Sequence, residues 1–370
     1  MAKQRILSVE YIRGIAMLGV VGIHTGAYSL TNPKVNIQLF ALLEIVSRFS
    51  VPIFFFVSAF GLFWAQNLTA PFSYGEYLRK RAKTVLIPYL VWSCLYLLHS
   101  TYLTGDTSFW RPRELFDTLF FGLASYQLYF LVILLWFYLF MPVWRYLLKI
   151  LLSHPVYFIP LLILQIVFDF YSSYCIPAVT GHRFVDHLIE YRLNYWVLHY
   201  LFIFLLGGYC AQNFVAVSQA VKRHKNAVLL FITTTLIAML GLYYYLLFGL
   251  HYTPEQAVNT GHQLSPFGIL YTVAASLFFI MWFESYSPPT LLASLLRSLS
   301  THSYLVYLVH PFFMYYLSRL LEKENLLFTG FMTLCFYSAT VLCSLLFAAC
   351  LNHYKKKLPL VSLLLTGNRQ

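Results

Sequence analysis

Runs of apolar residues, separated by short polar stretches, recur along the chain from residue 13 to residue 352. Each run approaches the roughly 20 residues that an α-helix needs to cross the hydrocarbon core of a bilayer. The pattern therefore predicts an all-α, polytopic membrane protein with about ten transmembrane helices, bounded to within a few residues. The predicted spans are residues 13–31, 40–65, 84–103, 126–148, 155–173, 195–213, 227–249, 266–286, 301–320 and 327–352.

The composition indicates the same class of protein. Of 370 residues, 60% are hydrophobic and 10% are charged, whereas soluble domains have roughly 45–50% and about 25%. No stretch remains for a separate soluble domain, so we predict one integral membrane domain over residues 1–370. The six cysteines form no Cys-x-x-Cys pair. We expect them to be small apolar packing residues, and we predict no metal site.

The positive charge follows the predicted topology. The formal net charge is +12, and with a cytoplasmic N-terminus the inner segments hold 16 Lys and Arg residues while the outer segments hold 7. This bias predicts that both termini are cytoplasmic. A charge distributed in this way favours a protein that contacts the bilayer, and it argues against a nucleic-acid partner.

The first predicted helix carries three ionisable residues on one face. Glu10, Arg13 and His24 are separated by three and eleven positions, so Arg13 and His24 lie roughly 16 Å apart along the helix axis. Arg13 can be a positive-inside anchor at the cytoplasmic rim, and His24 can be a hydrogen-bonded packing residue. The functional alternative is that Glu10 orients Arg13 while His24, deep in the membrane, acts as a general base.

Polar residues on two other helices are further candidates. Arg48 lies in the outer part of the second span and must face a cavity, a carboxylate or the headgroups. Ser58, on the same span, is either a small packing residue or part of the site. In the ninth span His310 lies near mid-membrane, where it can be structural or can reach the cavity of His24. The basic cluster from Arg79 to Lys83 is either a topology signal with lipid contacts or a site for a polyanion.

Several of these motifs together resemble the acyltransferase family 3 membrane proteins of bacteria. That family has an Arg-x10-His motif in the first helix and a Phe-x-x-Ser-Gly/Ala-Phe/Tyr motif in the second. The resemblance covers nearly the whole chain. It rests on Arg5-x4-Glu10-x2-Arg13 with His24, on Val51-Pro-Ile-Phe-Phe-Phe-Val-Ser58-Ala59-Phe60, on the basic cluster before Ile87-Pro88, on Ser125-Tyr-Gln-Leu-Tyr-Phe-Leu, on Phe204-Leu-Leu-Gly-Gly208-Tyr and on Ser303-Tyr-Leu-Val-Tyr-Leu-Val-His310-Pro.

The resemblance implies a multi-pass enzyme of the bacterial plasma membrane. Such an enzyme moves an acyl group, commonly acetyl, from cytoplasmic acyl-CoA to a hydroxyl of an extracytoplasmic glycan or glycolipid, with acyl-CoA as co-substrate and no cofactor. His24 matches the family's essential histidine, Arg13 its motif arginine and Ser58 its second-helix serine. The chain departs from the pattern in having Glu10 for Asp, Ala59 for Gly, and Lys80-x-x-Lys83 in place of two arginines.

The residues and the resemblance lead to one hypothesis for the site. Glu10, Arg13, Arg81 and Lys83 bind the donor, with the cations on the phosphates of coenzyme A. His24 takes the proton of the acceptor hydroxyl, either in direct transfer or by way of a histidine-linked acyl group. The acceptor or the oxyanion is held by Arg48, Ser58 and His310.

Two other classes of protein remain open. Polar residues within a bundle of ten helices also suit an exporter or flippase of a polysaccharide or lipid-linked glycan, although no internal repeat or pair of broken helices is evident in the sequence. A binding or regulatory membrane subunit with a vestigial site is the second alternative.

Overall fold

The computed structural model describes residues 6–176 and 180–367. Over this part of the chain the regular secondary structure is helical and no strand occurs. This confirms the predicted all-α class. Arg5 of the N-terminal motif lies outside the described residues, as do Lys3 and Arg369, which entered the charge count.

Nineteen α-helices form in the described residues. They are α1 Leu7–Ser29, α2 Ile37–Glu44, α3 Ser50–Trp64, α4 Tyr74–Arg81, α5 Ile87–Thr104, α6 Pro112–Phe121, α7 Tyr129–Leu139, α8 Met141–Ser153, α9 Phe158–Phe170, α10 Arg183–Glu190, α11 Arg192–Tyr195, α12 Leu201–Gln212, α13 Phe214–Arg223, α14 Lys225–Tyr244, α15 Pro254–Thr260, α16 Pro266–Ser285, α17 Thr290–Lys323, α18 Gly330–Tyr354 and α19 Pro359–Thr366. Helical turns of the π type cover Ala82–Leu86, Tyr171–Cys175 and Tyr245–Gly249, and 3-10 turns cover Ser108–Trp110, Pro155–Tyr157 and Val197–Tyr200.

The structure does not confirm the count of ten spans. Six helices in the described residues are long and apolar enough to cross a membrane, and the number rises to eight if each of two bent pairs is one span. The six are Leu7–Ser29, Tyr74–Thr104, Pro155–Cys175, Lys225–Gly249, Pro266–Ser285 and Gly330–Tyr354. These helices support the predicted class of a multi-pass membrane protein. The cytoplasmic location of both termini stays a prediction.

Three predicted spans are interrupted. The span at 40–65 is broken by turns between α2 and α3, and Arg48 lies in these turns. Pro52 lies in the first turn of α3, where proline is tolerated because the backbone N–H groups have no partner within the helix. The span at 126–148 bends by 73° between α7 and α8, with Pro142 in the first turn of α8. The span at 195–213 ends in a bend of 100° before α13. A continuous apolar run does not reveal such a bend.

The described residues divide into two compact units. The first holds residues 6–67, 151–175 and 200–345, and the second holds residues 68–150, 176, 180–199 and 346–367. In the first unit α3 packs against α12 and α1, and α1 packs against α17. In the second unit α5 packs against α19, and α4 contacts α7. The prediction of one domain over the whole chain stays a prediction.

Small residues permit the close helix contacts of the first unit. A Cβ atom built on Gly14 of α1 would lie 2.5 Å from the carbonyl oxygen of Leu296 in α17. Helices in membranes associate through close packing of this kind, because lipid gives them little hydrophobic driving force. The approach places α1 and α17 side by side and therefore determines which of their polar residues meet.

Replacing Gly14 with alanine is expected to lower the free energy of unfolding by about 1–3 kcal/mol, because the new methyl group has no room against the α17 backbone. Gly241→Ala is the matched control, because a Cβ atom there meets nothing within 4 Å. That change is expected to be neutral or stabilising by up to about 1 kcal/mol. The measurement is reversible unfolding of the purified protein in detergent. Equal stability of the two variants would contradict the close contact.

Candidate active site

Two histidines from distant parts of the sequence are in ring contact in the first unit. His24 of α1 and His310 of α17 have ring centroids 5.3 Å apart and planes inclined by 23°. His310 is fully buried, whereas His24 is half-buried. The two rings thus differ in exposure, with His310 the more deeply buried of the pair.

The hydrogen bonding of His310 fixes the roles of its two nitrogens. Its Nδ1 lies 3.1 Å from the carbonyl oxygen of Val306, one turn earlier in α17. A carbonyl oxygen can only accept, so Nδ1 carries the proton and donates. In the neutral ring Nε2 is then an acceptor. This nitrogen is buried with no hydrogen-bond partner in the described part of the chain.

A buried ion pair lies in the same unit. Nη2 of Arg48 is 3.0 Å from Oε2 of Glu44, and the side chains are 11% and 5% exposed. Nη1 of Arg48 donates to Oε1 of Gln263 at 3.3 Å. Nε2 of Gln263 in turn donates to the Tyr200 hydroxyl at 3.5 Å. Charges removed from water in this way are tolerated when they are paired. Here the two charges pair with each other and Arg48 is also hydrogen-bonded to Gln263, while Oε2 of Glu44 has no hydrogen-bond partner among the described residues.

The ion pair lies next to the helix that carries His24. A Cβ atom built on Gly26 of α1 would lie 3.0 Å from Oε1 of Glu44, so the carboxylate packs directly on the backbone two residues after His24. Arg48 interacts electrostatically with the His24 imidazole. The Nε of Arg48 is buried and has no hydrogen-bond partner within residues 6–176 and 180–367. The His24–His310 pair and the Glu44–Arg48 pair thus form one polar cluster.

Arg13 lies at the other end of α1. Its Nη2 would be 4.0 Å from a Cβ atom built on Gly61 of α3. Ser58 is half-buried and precedes Gly61 by three residues, or about 4.5 Å along α3. Ser58 therefore lies near the level of Arg13 along the two helices, and its predicted role with Arg48 and His310 stays a prediction. Glu10 is half-buried on α1, and its pairing with Arg13 stays a prediction.

The two remaining predicted donor residues lie in the second unit. Arg81 is the last residue of α4, and its guanidinium carbon is 5.2 Å from the ring centre of Tyr77 and 5.1 Å from that of Tyr138. Lys83 lies in the π turn that follows and is exposed. The two neighbouring cations thus differ in environment, because Arg81 is held against aromatic rings and Lys83 is open to a ligand.

Sequence reasoning missed three members of the polar cluster. Glu44 could have been found, because a carboxylate four residues before Arg48 inside a predicted span is well placed for a helical ion pair. Gln263 and Tyr200 carried no comparable signal. Gln263 contacts Arg48, and Tyr200 contacts Gln263, only because the fold brings the segment between α15 and α16 to both residues.

The chain is similar to one protein family over most of its length and to curated proteins over a shorter stretch. A family model described as an acyltransferase domain matches residues 6–353. A "Probable poly-beta-1,6-N-acetyl-D-glucosamine export protein" of Staphylococcus epidermidis is 25% identical over 154 residues, which are 41% of this chain and 39% of the relative. A protein of the same description from strain RP62A of that species matches equally. The chain thus spans well under half the length of these curated relatives.

No solved structure matches the chain. The family match, in contrast, covers almost all of the described residues and includes Arg13, His24, Arg48, Ser58 and His310. Together with the apolar helices it indicates a multi-pass membrane enzyme that transfers acyl groups other than aminoacyl groups. The chain belongs to acyltransferase family 3.

Proposed function

We propose that the protein moves an acyl group, acetyl in the simplest case, from cytoplasmic acyl-CoA to a hydroxyl of an extracytoplasmic glycan or glycolipid. We place it in the bacterial plasma membrane. The observation that carries the proposal is the contact of His24 with His310 beside Arg48. An imidazole with an arginine nearby can supply both a general base for the acceptor hydroxyl and a positive charge for the oxyanion of the thioester. The polysaccharide named for the relatives supports a glycan as acceptor.

In the proposed reaction His24 takes the proton of the acceptor hydroxyl while the oxygen attacks the thioester carbonyl. A carbon–oxygen bond forms, and the carbonyl oxygen becomes an oxyanion. The carbon–sulfur bond then breaks, and the leaving thiolate receives the proton from the His24 imidazolium. The products are an ester and free CoA thiol, and His24 returns to its neutral form. A histidine-linked acyl intermediate is the alternative route.

The geometry supports different roles for Arg48 and His310. Neutral His310 cannot donate to an oxyanion through Nε2, and its Nδ1 proton is engaged by the Val306 carbonyl. Arg48 keeps a buried Nε–H that no described residue accepts. We therefore assign oxyanion stabilisation to Arg48. His310 orients the acceptor or the His24 ring.

Replacing Arg13 with alanine is expected to weaken donor binding by a factor of about 10 to 150, because a cation–phosphate hydrogen bond contributes about 1.5–3 kcal/mol. The measurement is the dissociation constant of acyl-CoA for the purified protein. Arg223→Ala is the control, because Arg223 is an exposed arginine of α13 in the same unit. Unchanged donor affinity in Arg13→Ala would remove this residue from the donor site.

The name of the curated relatives favours a second candidate function, export of a polysaccharide. Mass spectrometry of cell-envelope glycans, with and without the protein, separates the two. A transferase predicts that its loss leaves the glycan at the cell surface without its ester-linked acyl groups. Loss of the surface glycan itself would favour export and contradict the proposal.

A further inference from the structure

The second unit contains a cavity that the proposed reaction does not use. Its volume is about 450 Å³, within the range of small-molecule sites. Helices α4, α5, α6 and α7 and the π turn after α4 form its walls. Its lining is aliphatic and aromatic except for one charged residue, Arg81.

Arg81 adds a cation to the otherwise uncharged lining of the cavity. Its guanidinium lies over the rings of Tyr77 and Tyr138, and Tyr138 also lines the cavity. The Nε of Arg81 is buried with no hydrogen-bond partner in the part of the chain that the structure describes. An arginine held on aromatic faces keeps its donors aligned for a phosphate, because the planar group is already oriented.

The remaining walls suit a hydrocarbon chain. The hydroxyl of Tyr89 donates to the Leu119 carbonyl, so this polar group is already satisfied within the protein. The pantetheine arm of coenzyme A carries amides and a hydroxyl, which lose free energy when buried without partners. An alkyl chain has no such groups and gains from apolar contact. The cavity is therefore better matched to a lipid chain than to the arm of the acyl donor.

The position of the cavity supports the same occupant. Helix Tyr74–Thr104 is a candidate membrane span, and the cavity residues Leu90 and Leu139 are 38% and 43% exposed. Apolar side chains exposed on a spanning helix face the lipid chains of the bilayer. A lipid can therefore enter from the side, with its chain in the cavity and its phosphate at Arg81.

We propose that this cavity is a binding site for an anionic phospholipid, with Arg81 on the phosphate and one acyl chain between α5, α6 and α7. Arg81 then serves lipid binding, and the donor phosphates depend on other cations. Arg79 provides an internal comparison, because it is an exposed cation on the same helix that does not line the cavity.

Trp136 lines the cavity and reports on its occupant. Phospholipids brominated on the acyl chain quench tryptophan fluorescence on contact. The fluorescence due to Trp136 is obtained as the difference between the fluorescence of the unchanged protein and that of its Trp136→Phe variant. In bilayers of phosphatidylcholine we expect brominated phosphatidylglycerol to quench this component at about a fivefold lower mole fraction than brominated phosphatidylcholine. Fivefold corresponds to about 1 kcal/mol for one basic residue near the membrane surface.

Arg81→Gln is expected to abolish the preference for phosphatidylglycerol, and Arg79→Gln to preserve it. Equal quenching of the unchanged protein by the two lipids would overturn the proposal even if Arg81→Gln failed to fold. An equal loss of the phosphatidylglycerol preference in Arg81→Gln and Arg79→Gln would overturn it as well, because it would indicate a general attraction between basic surface residues and anionic lipid. An unchanged lipid preference in Arg81→Gln with a raised dissociation constant for acyl-CoA would return Arg81 to the donor site. The measurement needs no acyl transfer, so it stands apart from the proposed function.

Discussion

Replacing His24 with alanine is expected to slow acyl transfer by a factor of about 10²–10⁴, the usual contribution of a positioned general base. The acceptor hydroxyl would then have to lose its proton without a partner as it attacks the thioester. The donor contacts are made elsewhere under the proposal, so the dissociation constant of acyl-CoA should stay within about twofold. The measurement is the rate of CoA release in the presence of a purified acceptor glycan, together with donor binding by the same preparation.

His302→Ala is the matched control for this change. His302 lies on α17, two turns before His310, and is partly exposed. Its loss is expected to leave the rate within about twofold, because it lies outside the histidine pair. A His24→Ala protein that folds normally and transfers acyl groups at the rate of the His302→Ala protein would show that His24 is a packing residue.

Replacing Glu44 with glutamine is expected to lower the free energy of unfolding by about 3–5 kcal/mol, because Arg48 would remain buried without its counter-charge. Arg48→Gln should be destabilising for the same reason. In the double variant both charges are absent, so much of the stability should return. Activity should not return, because the proposed oxyanion donor is still missing, which costs about 10²–10³ in rate. Unfolding in detergent and CoA release measure the two effects separately.

The exposed pair Arg319–Glu322 is the control for the Glu44 experiment. Its side chains are 61% and 62% exposed, so Glu322→Gln is expected to leave stability and activity unchanged. If Glu44→Gln were as stable as Glu322→Gln, the ion pair would not be buried as described. If the double variant regained full activity, Arg48 would have no part in the chemistry.

The helical class could be predicted from the sequence for physical reasons, as could Arg13 and three members of the polar cluster, His24, Arg48 and His310. Arg13 and His24 stand out because ionisable groups on an apolar helix are costly and therefore rare. Arg48 stands out for the same reason. Helical periodicity then places the members of one helix on a common face, and this required no knowledge of the fold.

The rest depended on tertiary structure. A run of apolar residues from 40 to 65 does not show that the chain turns between Glu44 and Ser50, so the predicted span concealed the segment that holds Arg48. The contact of His24 with His310 requires that α1 packs on α17. Gly14 permits this packing because it has no side chain where the Leu296 backbone lies opposite. Gln263 joins Arg48 across 215 positions of sequence, a pairing that helical periodicity cannot reveal.

Under the proposed function the protein transfers an acyl group from acyl-CoA to a glycan hydroxyl, and the reaction depends on His24. Vesicles containing the protein, with acyl-labelled acyl-CoA sealed inside and acceptor glycan outside, test this claim most directly. Ester-linked label is expected on the external glycan with the unchanged protein, and at least about a hundredfold less label with His24→Ala. Equal labelling by both proteins, or passage of glycan across the membrane without any label, would contradict it.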